Sequence, residues 1–198
     1  MKERKLGRPR TFDADVALEK AMKVFWEKGY EGSSLPELTE AMGMNRPSMY
    51  AVFGNKENLF KLALERYGAS HDPLFDAALQ QPTARAVVEH FLRGNANAQT
   101  EEANPHGCLV INGALACSDD ALPIRNTLIE RRAAAEMRLR ERFMQAKDDG
   151  DLPPDFCAGQ MARYVMTVSN GMAVQAAAGA TRSQLQQVVD QVLRGWPS

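Results

Sequence analysis

The chain has 198 residues, 44% of them hydrophobic and 25% charged, which is enough to bury one large core or two small ones. It holds no run of about 18 apolar residues, and its opening MKERKLGRPR is charged with no apolar stretch behind it, so neither a membrane span nor a secretory signal is expected. Cys108, Cys117 and Cys157 form an odd set without CxxC spacing, which speaks against a disulfide framework or a zinc cluster and suits the reducing cytoplasm. The net charge of −1 hides a gradient, because residues 1–12 carry +4 and the remainder −5. A basic arm ahead of an acidic body fits nucleic-acid contact, and equally a solubilising tail.

Alternating β-branched runs are absent and helical periodicity recurs, so the chain reads as all-α with nine helices. Leu18, Ala21, Met22 and Phe25 give residues 13–28 one apolar face, closed by Gly29 as a C-cap. Ser34-Leu35-Pro36-Glu37 matches a capping box and opens a short second helix. Gly43 permits a tight turn, Asn45 caps the next helix, and Pro47 sits in its first turn, where its missing N–H costs nothing. That third helix runs to Phe53, and a fourth, capped by Asn55, reaches about Ala69.

Residues 71–83 contain two prolines and are expected to break the helix, after which Val87, Val88, Phe91 and Leu92 mark a fifth. The apolar segment 108–116 reads as a short buried helix. A long helix then starts on Ser118, Asp119 or Asp120, with Pro123 in its first turn. Its Ile124, Leu128, Ala135, Leu139 and Phe143 are expected to face inward, and Glu130, Arg131, Arg132, Glu136, Arg138 and Arg140 outward. Helices over 155–178 and from Thr181 or Ser183 onward complete the chain.

The functional signal is concentrated in residues 34–56, where a capped helix, a glycine turn and a second short helix have the spacing of a DNA-reading helix-turn-helix. Asn45, Arg46, Pro47 and Ser48 occupy the leading turn of the second helix. An arginine there can pair bidentately with guanine, a proline can rest on a thymine methyl, and the Ser48 and Tyr50 hydroxyls can reach phosphates. Lys56, at the start of the fourth helix, adds a charge beside a positive helix end. The competing reading is that Tyr50 and Phe53 are core residues of an ordinary helical protein.

The runs Gly29-Tyr30-Glu31-Gly32-Ser33-Ser34, Leu38-Thr39-Glu40-Ala41-Met42-Gly43, Asn45-Arg46-Pro47-Ser48-Met49-Tyr50 and Phe53-Gly54-Asn55-Lys56-Glu57-Asn58-Leu59-Phe60 together resemble the tetracycline-repressor family of regulators. The resemblance implies a DNA-binding head over residues 13–70, preceded by a flexible basic arm over 1–12 and followed by a ligand-binding and dimerisation body over 71–198. It implies that Ser33 and Ser34 touch phosphate, that Arg46 and Pro47 read bases, and that Ser48, Tyr50 and Lys56 anchor phosphates. Arg8 and Arg10 in the arm would suit a minor groove. Ala51 and Val52 depart from the histidine or aromatic found in many relatives, so no base contact is assigned to them.

The resemblance further implies a repressor with three partners: a double-stranded, palindromic DNA operator, a second copy of the chain, and a small-molecule effector, with no membrane partner and no cofactor. Candidate pocket residues are Phe91, Cys108, Val110, Ile111, Leu115, Met137, Met144 and Met166, although a methionine stripe is as readily core. Gly159, Ala162, Ser169, Gly171 and Ala173 would admit a close helix, and Leu185, Val188, Val189, Val192 and Leu193 would bury against it, either between two chains or within one. Cysteine-based sensing of oxidants, electrophiles or metals through Cys108 or Cys117 is the alternative. On a single helix those two cysteines would lie about 13 Å apart, too far for a disulfide. His71, His90 and His106 stand apart from any GxSxG, HExxH or phosphate-loop pattern, so no catalysis is indicated.

Overall fold

The computed structural model describes residues 13–115 and 117–197. Among them the chain forms nine α-helices, a single 3-10 turn and no strand. α1 (Ala14–Gly32) begins on Asp13, whose carboxylate accepts from the backbone N–H groups of Asp15 and Val16. α2 (Leu35–Met42), α3 (Arg46–Phe53) and α4 (Lys56–Leu79) follow, capped by Ser34, Asn45 and Asn55 as their sequences require.

Gly29 does not end α1, as its sequence position suggests, but kinks it at φ 72°, ψ 177°, and one more turn follows to Gly32. The kink frees the Tyr30 N–H from the helix ladder to donate to Gly113 O at 2.7 Å, and a Cβ on Gly29 would stand 3.1 Å from Asn112 O. Both the backbone angle and the close approach exclude a side chain. Gly29→Ala is therefore expected to lower unfolding free energy by about 1–3 kcal/mol in a urea titration.

α4 runs ten residues past the end expected at Ala69, with Pro73 inside it. Pro73 is exposed, so its ring meets solvent. The segment around it is tied to the long helix α7 (Leu122–Asp148) by Arg131 to Asp72 at 2.7 Å and Arg138 to Asp76 at 2.6 Å. Arg142 adds donations to Leu79 O and Gln81 O, taking up carbonyls at the C-terminal end of α4. Tertiary contacts thus override the local break.

α5 (Ala84–Ala98) leads through a loop to α6 (Leu109–Asn112), a single turn where a helix over 108–116 was expected. It stops because the next residue, Gly113, gives its carbonyl to Tyr30. α7 takes no side-chain cap, since its N-cap is Ala121, and Ser118, at the head of the preceding 3-10 turn, directs both its N–H and its hydroxyl to Glu31 in the last turn of α1. α8 (Ala158–Ala177) and α9 (Arg182–Arg194) close the body, α9 with a Thr181–Gln184 capping box.

Apolar burial divides into two clusters. One gathers Phe25, Trp26, Leu38, Met49, Leu59 and Phe60 of α1–α4 together with Leu109, Ala114, Ile124 and Leu128 from the body. The other joins α5, α7, α8 and α9 around Leu92, Leu139, Phe143, Val165 and Val189. No helix among the described residues is long and apolar enough to cross a membrane.

Candidate nucleic-acid interface and body cavity

The first candidate site is built by the α2–turn–α3 unit. Gly43 adopts φ 71°, ψ 31°, and its N–H and that of Met44 close the end of α2 on Glu40 O and Thr39 O, so the chain turns sharply into α3. Met49 and Phe53 are buried in the head core and fix α3 in rotation. Arg46, Pro47, Ser48, Tyr50, Ala51 and Val52 consequently face out. The choice left open by sequence is resolved residue by residue: Tyr50 is 48% exposed, whereas Phe53 is 4% exposed and is core. The Asn45 side-chain oxygen Oδ1 is occupied in accepting the Ser48 N–H at 2.9 Å, which holds the leading turn rigid.

Ser34 is exposed, and its hydroxyl donates to Glu37 Oε2 at 2.7 Å while that carboxylate accepts the Ser34 N–H at 2.9 Å. Lys28 Nζ donates to the other oxygen of Glu37 at 2.5 Å. These donors, Lys28 foremost, hold the Glu37 carboxyl down to about 2. A folded value below the ordinary 4.5 means that this cap's contribution is complete above pH 4.5 and is lost as pH falls towards 2. A carbon-detected NMR titration should find the Glu37 midpoint at about 2, and Lys28→Ala should raise it.

One expected phosphate anchor is placed differently. Ser33 is fully buried and its hydroxyl donates to Gly29 O at 2.6 Å, so it stabilises the kink of α1 and has no surface to offer a phosphate. Lys56 is half-buried with Nζ 4.5 Å from the centre of the Tyr30 ring. Burial lowers its pKa, partly offset by the neighbouring Glu31. Arg8 and Arg10 lie outside the described residues.

The second candidate site is a cavity of about 360 Å³ in the body. Its apolar wall comes from Phe75, Phe91, Val110, Ile111 and Met166, with Cys108 beside them. Its polar wall comes from His71, Asn95, Gln99 and Ser169 and from three arginines of α7, Arg131, Arg132 and Arg138. The Tyr67 hydroxyl donates to Cys108 Sγ at 3.2 Å, and the His71 ring stacks on Tyr67 at 3.9 Å between centroids. Burial lowers the pKa of His71 and raises that of Tyr67, favouring the neutral form of each.

Two family models match the chain: "Bacterial regulatory proteins, tetR family" over residues 17–63 and "Tetracyclin repressor-like, C-terminal domain" over residues 82–192. The chain belongs to the TetR family of transcriptional regulators. It is 37% identical over 193 residues to the transcriptional repressor ComR of Escherichia coli, covering 96% of this chain and 92% of that protein. BdcR, another repressor of E. coli, is 29% identical over 181 residues, 90% of this chain and 86% of its own. Among solved structures, a cysteine-substituted variant of the TetR regulator CifR in complex with 26-bp double-strand operator DNA superposes with a TM-score of 0.91 at 41% identity, covering 96% of this chain and all of that one.

Of the cavity residues expected for this TetR body, Phe91, Cys108, Val110, Ile111 and Met166 line it. Leu115, Met137 and Met144 do not: they are 61%, 59% and 48% exposed, the first beyond the short α6 and the others on the outer side of α7. The larger correction is to the arginines expected to face solvent: Arg131 and Arg132 are half-buried on the cavity wall, while Arg138 borders the cavity and stays exposed. The signal was present in their spacing, because Arg132 lies four residues after Leu128 and three before Ala135, on the same inward stripe. Gln99 and His71 carried no comparable sequence signal.

Most of the expected interface residues of the TetR dimer are consumed within one chain. Ala162, Ala173, Leu185, Val189, Val192 and Leu193 are buried in the body core, and Ser169 faces the cavity, where its hydroxyl accepts from Asn95 Nδ2 at 2.8 Å. Gly159 is half-buried near the Arg140 side chain. Of the expected set, Gly171 and Val188 do face out, Gly171 beside Tyr164, Thr167 and Val174 on α8 and Val188 beside Gln184, Gln187 and Gln191 on α9. The three cysteines are free thiols, and the described residues contain no cluster of three or more His, Cys, Asp or Glu able to hold a metal.

Proposed function

We propose that this TetR regulator is an operator-binding repressor that leaves a near-palindromic DNA site when a small molecule occupies the body cavity. The observation that carries the reading is the exposed leading turn of α3, with Arg46, Pro47, Ser48 and Tyr50 outward and Met49 and Phe53 locked in the core. Arg46 and Pro47 read base edges there, while Ser34, Ser48, Tyr50 and Lys56 serve the phosphates. The complex of CifR with double-strand operator DNA supports a duplex as the partner. Two copies pair through the unpartnered faces of α8 and α9 that carry Tyr164, Val174 and Val188, setting two α3 helices about 34 Å apart in successive major grooves. The protein works in the cytoplasm, with residues 13–70 as the reading head, 71–198 as the sensing and pairing body, and the basic arm reaching the minor groove through Arg8 and Arg10.

The test is selection of bound sites from random duplex DNA with the purified protein. Recovered sites with two-fold symmetry, and affinity falling steeply with salt as counterions are released, are the expected result. Asymmetric, unrelated fragments overturn the dimer, and a protein that ignores every duplex at low ionic strength overturns the function.

A second reading has the effector act covalently on Cys108, which lines the cavity and accepts the Tyr67 hydroxyl, whereas Cys117 packs against the head core away from that wall. Release of operator DNA that persists in Cys108→Ser rules it out.

A further inference from the structure

The charges around the cavity are paired with one exception. Arg131 is bound to Asp72 and Arg138 to Asp76, and the Arg138 guanidinium also lies 5.2 Å from the centre of the Phe75 ring. Arg132 has no acid among the described residues; its one hydrogen bond runs from Nη1 to Val110 O at 2.9 Å. Its remaining N–H groups form the planar fork that suits a carboxylate. Burial disfavours its charge, which makes an incoming anion more welcome there.

A buried acceptor without a donor stands on the same walls, beside a histidine lone pair. Gln99 is 6% exposed and its side-chain carbonyl oxygen is buried with no hydrogen-bond partner. His71 Nδ1 lies 2.9 Å from Tyr67 O, and because a carbonyl only accepts, Nδ1 carries the proton and Nε2 keeps its lone pair. A neutral apolar occupant would leave the buried Gln99 carbonyl oxygen unmet, at a cost typical of a buried unpaired polar group, and would give the Arg132 fork no counter-charge. A cation would meet Arg132 unfavourably. The volume of about 360 Å³ is at the small end for ligand sites, and Phe75, Phe91 and Met166 suit an apolar skeleton.

Building on the reading of this cavity as the effector site, we propose that it takes a small organic monocarboxylate, the anion seated on Arg132 and a hydroxyl or amino donor of the same molecule directed to the Gln99 carbonyl oxygen.

The test uses the purified full chain with 4-hydroxyphenylacetate, phenylacetate and hexanoate, each measured against the primary amide of the same skeleton, in calorimetric titrations and in operator release. At least one acid is expected to bind about tenfold or more tightly than its amide, as a charge-assisted pair would give. The 4-hydroxy acid should exceed phenylacetate, and Gln99→Leu should erase that difference. Arg132→Gln should abolish the acid-over-amide preference while leaving amide binding and the melting temperature in place. Arg140→Gln, on the outer side of α7, should retain the preference. Equal binding of acid and amide, a preference that survives Arg132→Gln, or no acid bound at millimolar concentration overturns the inference. Acids that bind through Arg132 without releasing operator leave the inference standing and overturn effector control; neutral compounds that release operator where acids do not have the opposite meaning.

Discussion

Phe60→Ala is expected to destabilise the protein by about 3–5 kcal/mol, a large share of the 5–15 kcal/mol that holds a typical domain folded. Phe60 is fully buried, edge-on to Phe25 at 5.0 Å and to Tyr30 at 5.4 Å between ring centres. Its far edge meets the α6 turn, where a Cβ on Gly113 would stand 3.1 Å from Phe60 Cζ. Truncation therefore empties a space walled on one side by α1 and on the other by the turn that binds Tyr30. Neither wall can collapse inward without disturbing the Tyr30 N–H to Gly113 O bond. Urea unfolding measures the loss, and Phe60→Leu, which refills much of the volume, should recover more than half of it.

Arg46→Ala is expected to weaken operator binding by about 1–3 kcal/mol per half-site, or from about 30-fold to more than 10⁴-fold for a dimer on a symmetric site. Arg46 is exposed at the first position of α3, so the variant should unfold within about 0.5 kcal/mol of the parent. A base-reading role also predicts an unchanged dependence of affinity on salt, with relaxed preference at one base pair of each half-site. Substituting Lys56 should behave oppositely, lowering the salt dependence without altering sequence preference. Gel-shift titrations at several salt concentrations on the selected operator separate the two outcomes.

The head was legible in the sequence because its signals are local. Asp13, Ser34, Asn45 and Asn55 each cap the helix that follows within three residues, and Gly43 marks a turn that needs a left-handed backbone. Each decision is made by atoms close along the chain. The body was less legible because its decisions are made at a distance. Pro73 reads as a break until Asp72 and Asp76 find arginines 59 and 62 residues away. Arg132 reads as solvated until Val110 O, 22 residues away, accepts its guanidinium at the cavity wall. Ser33 misled for another reason: a hydroxyl at the mouth of α2 serves phosphate or backbone equally well by type, and only the kink at Gly29 assigns it to the latter. The stripe expected to pair misled because apolar periodicity marks burial without saying against what: Ala162, Leu185, Val189 and Val192 spend it inside the chain, and of that set only Gly171 and Val188 face out.

The sharing of the amino-terminal core with Leu109, Ala114, Ile124 and Leu128 sets a limit on dissection. A fragment cut at residue 70 would keep its caps and its exposed α3 but would carry an open greasy flank where those four side chains had been. Such a fragment would aggregate or soften, and a weak interaction measured with it would report lost rigidity, not a shortage of contacts to the duplex.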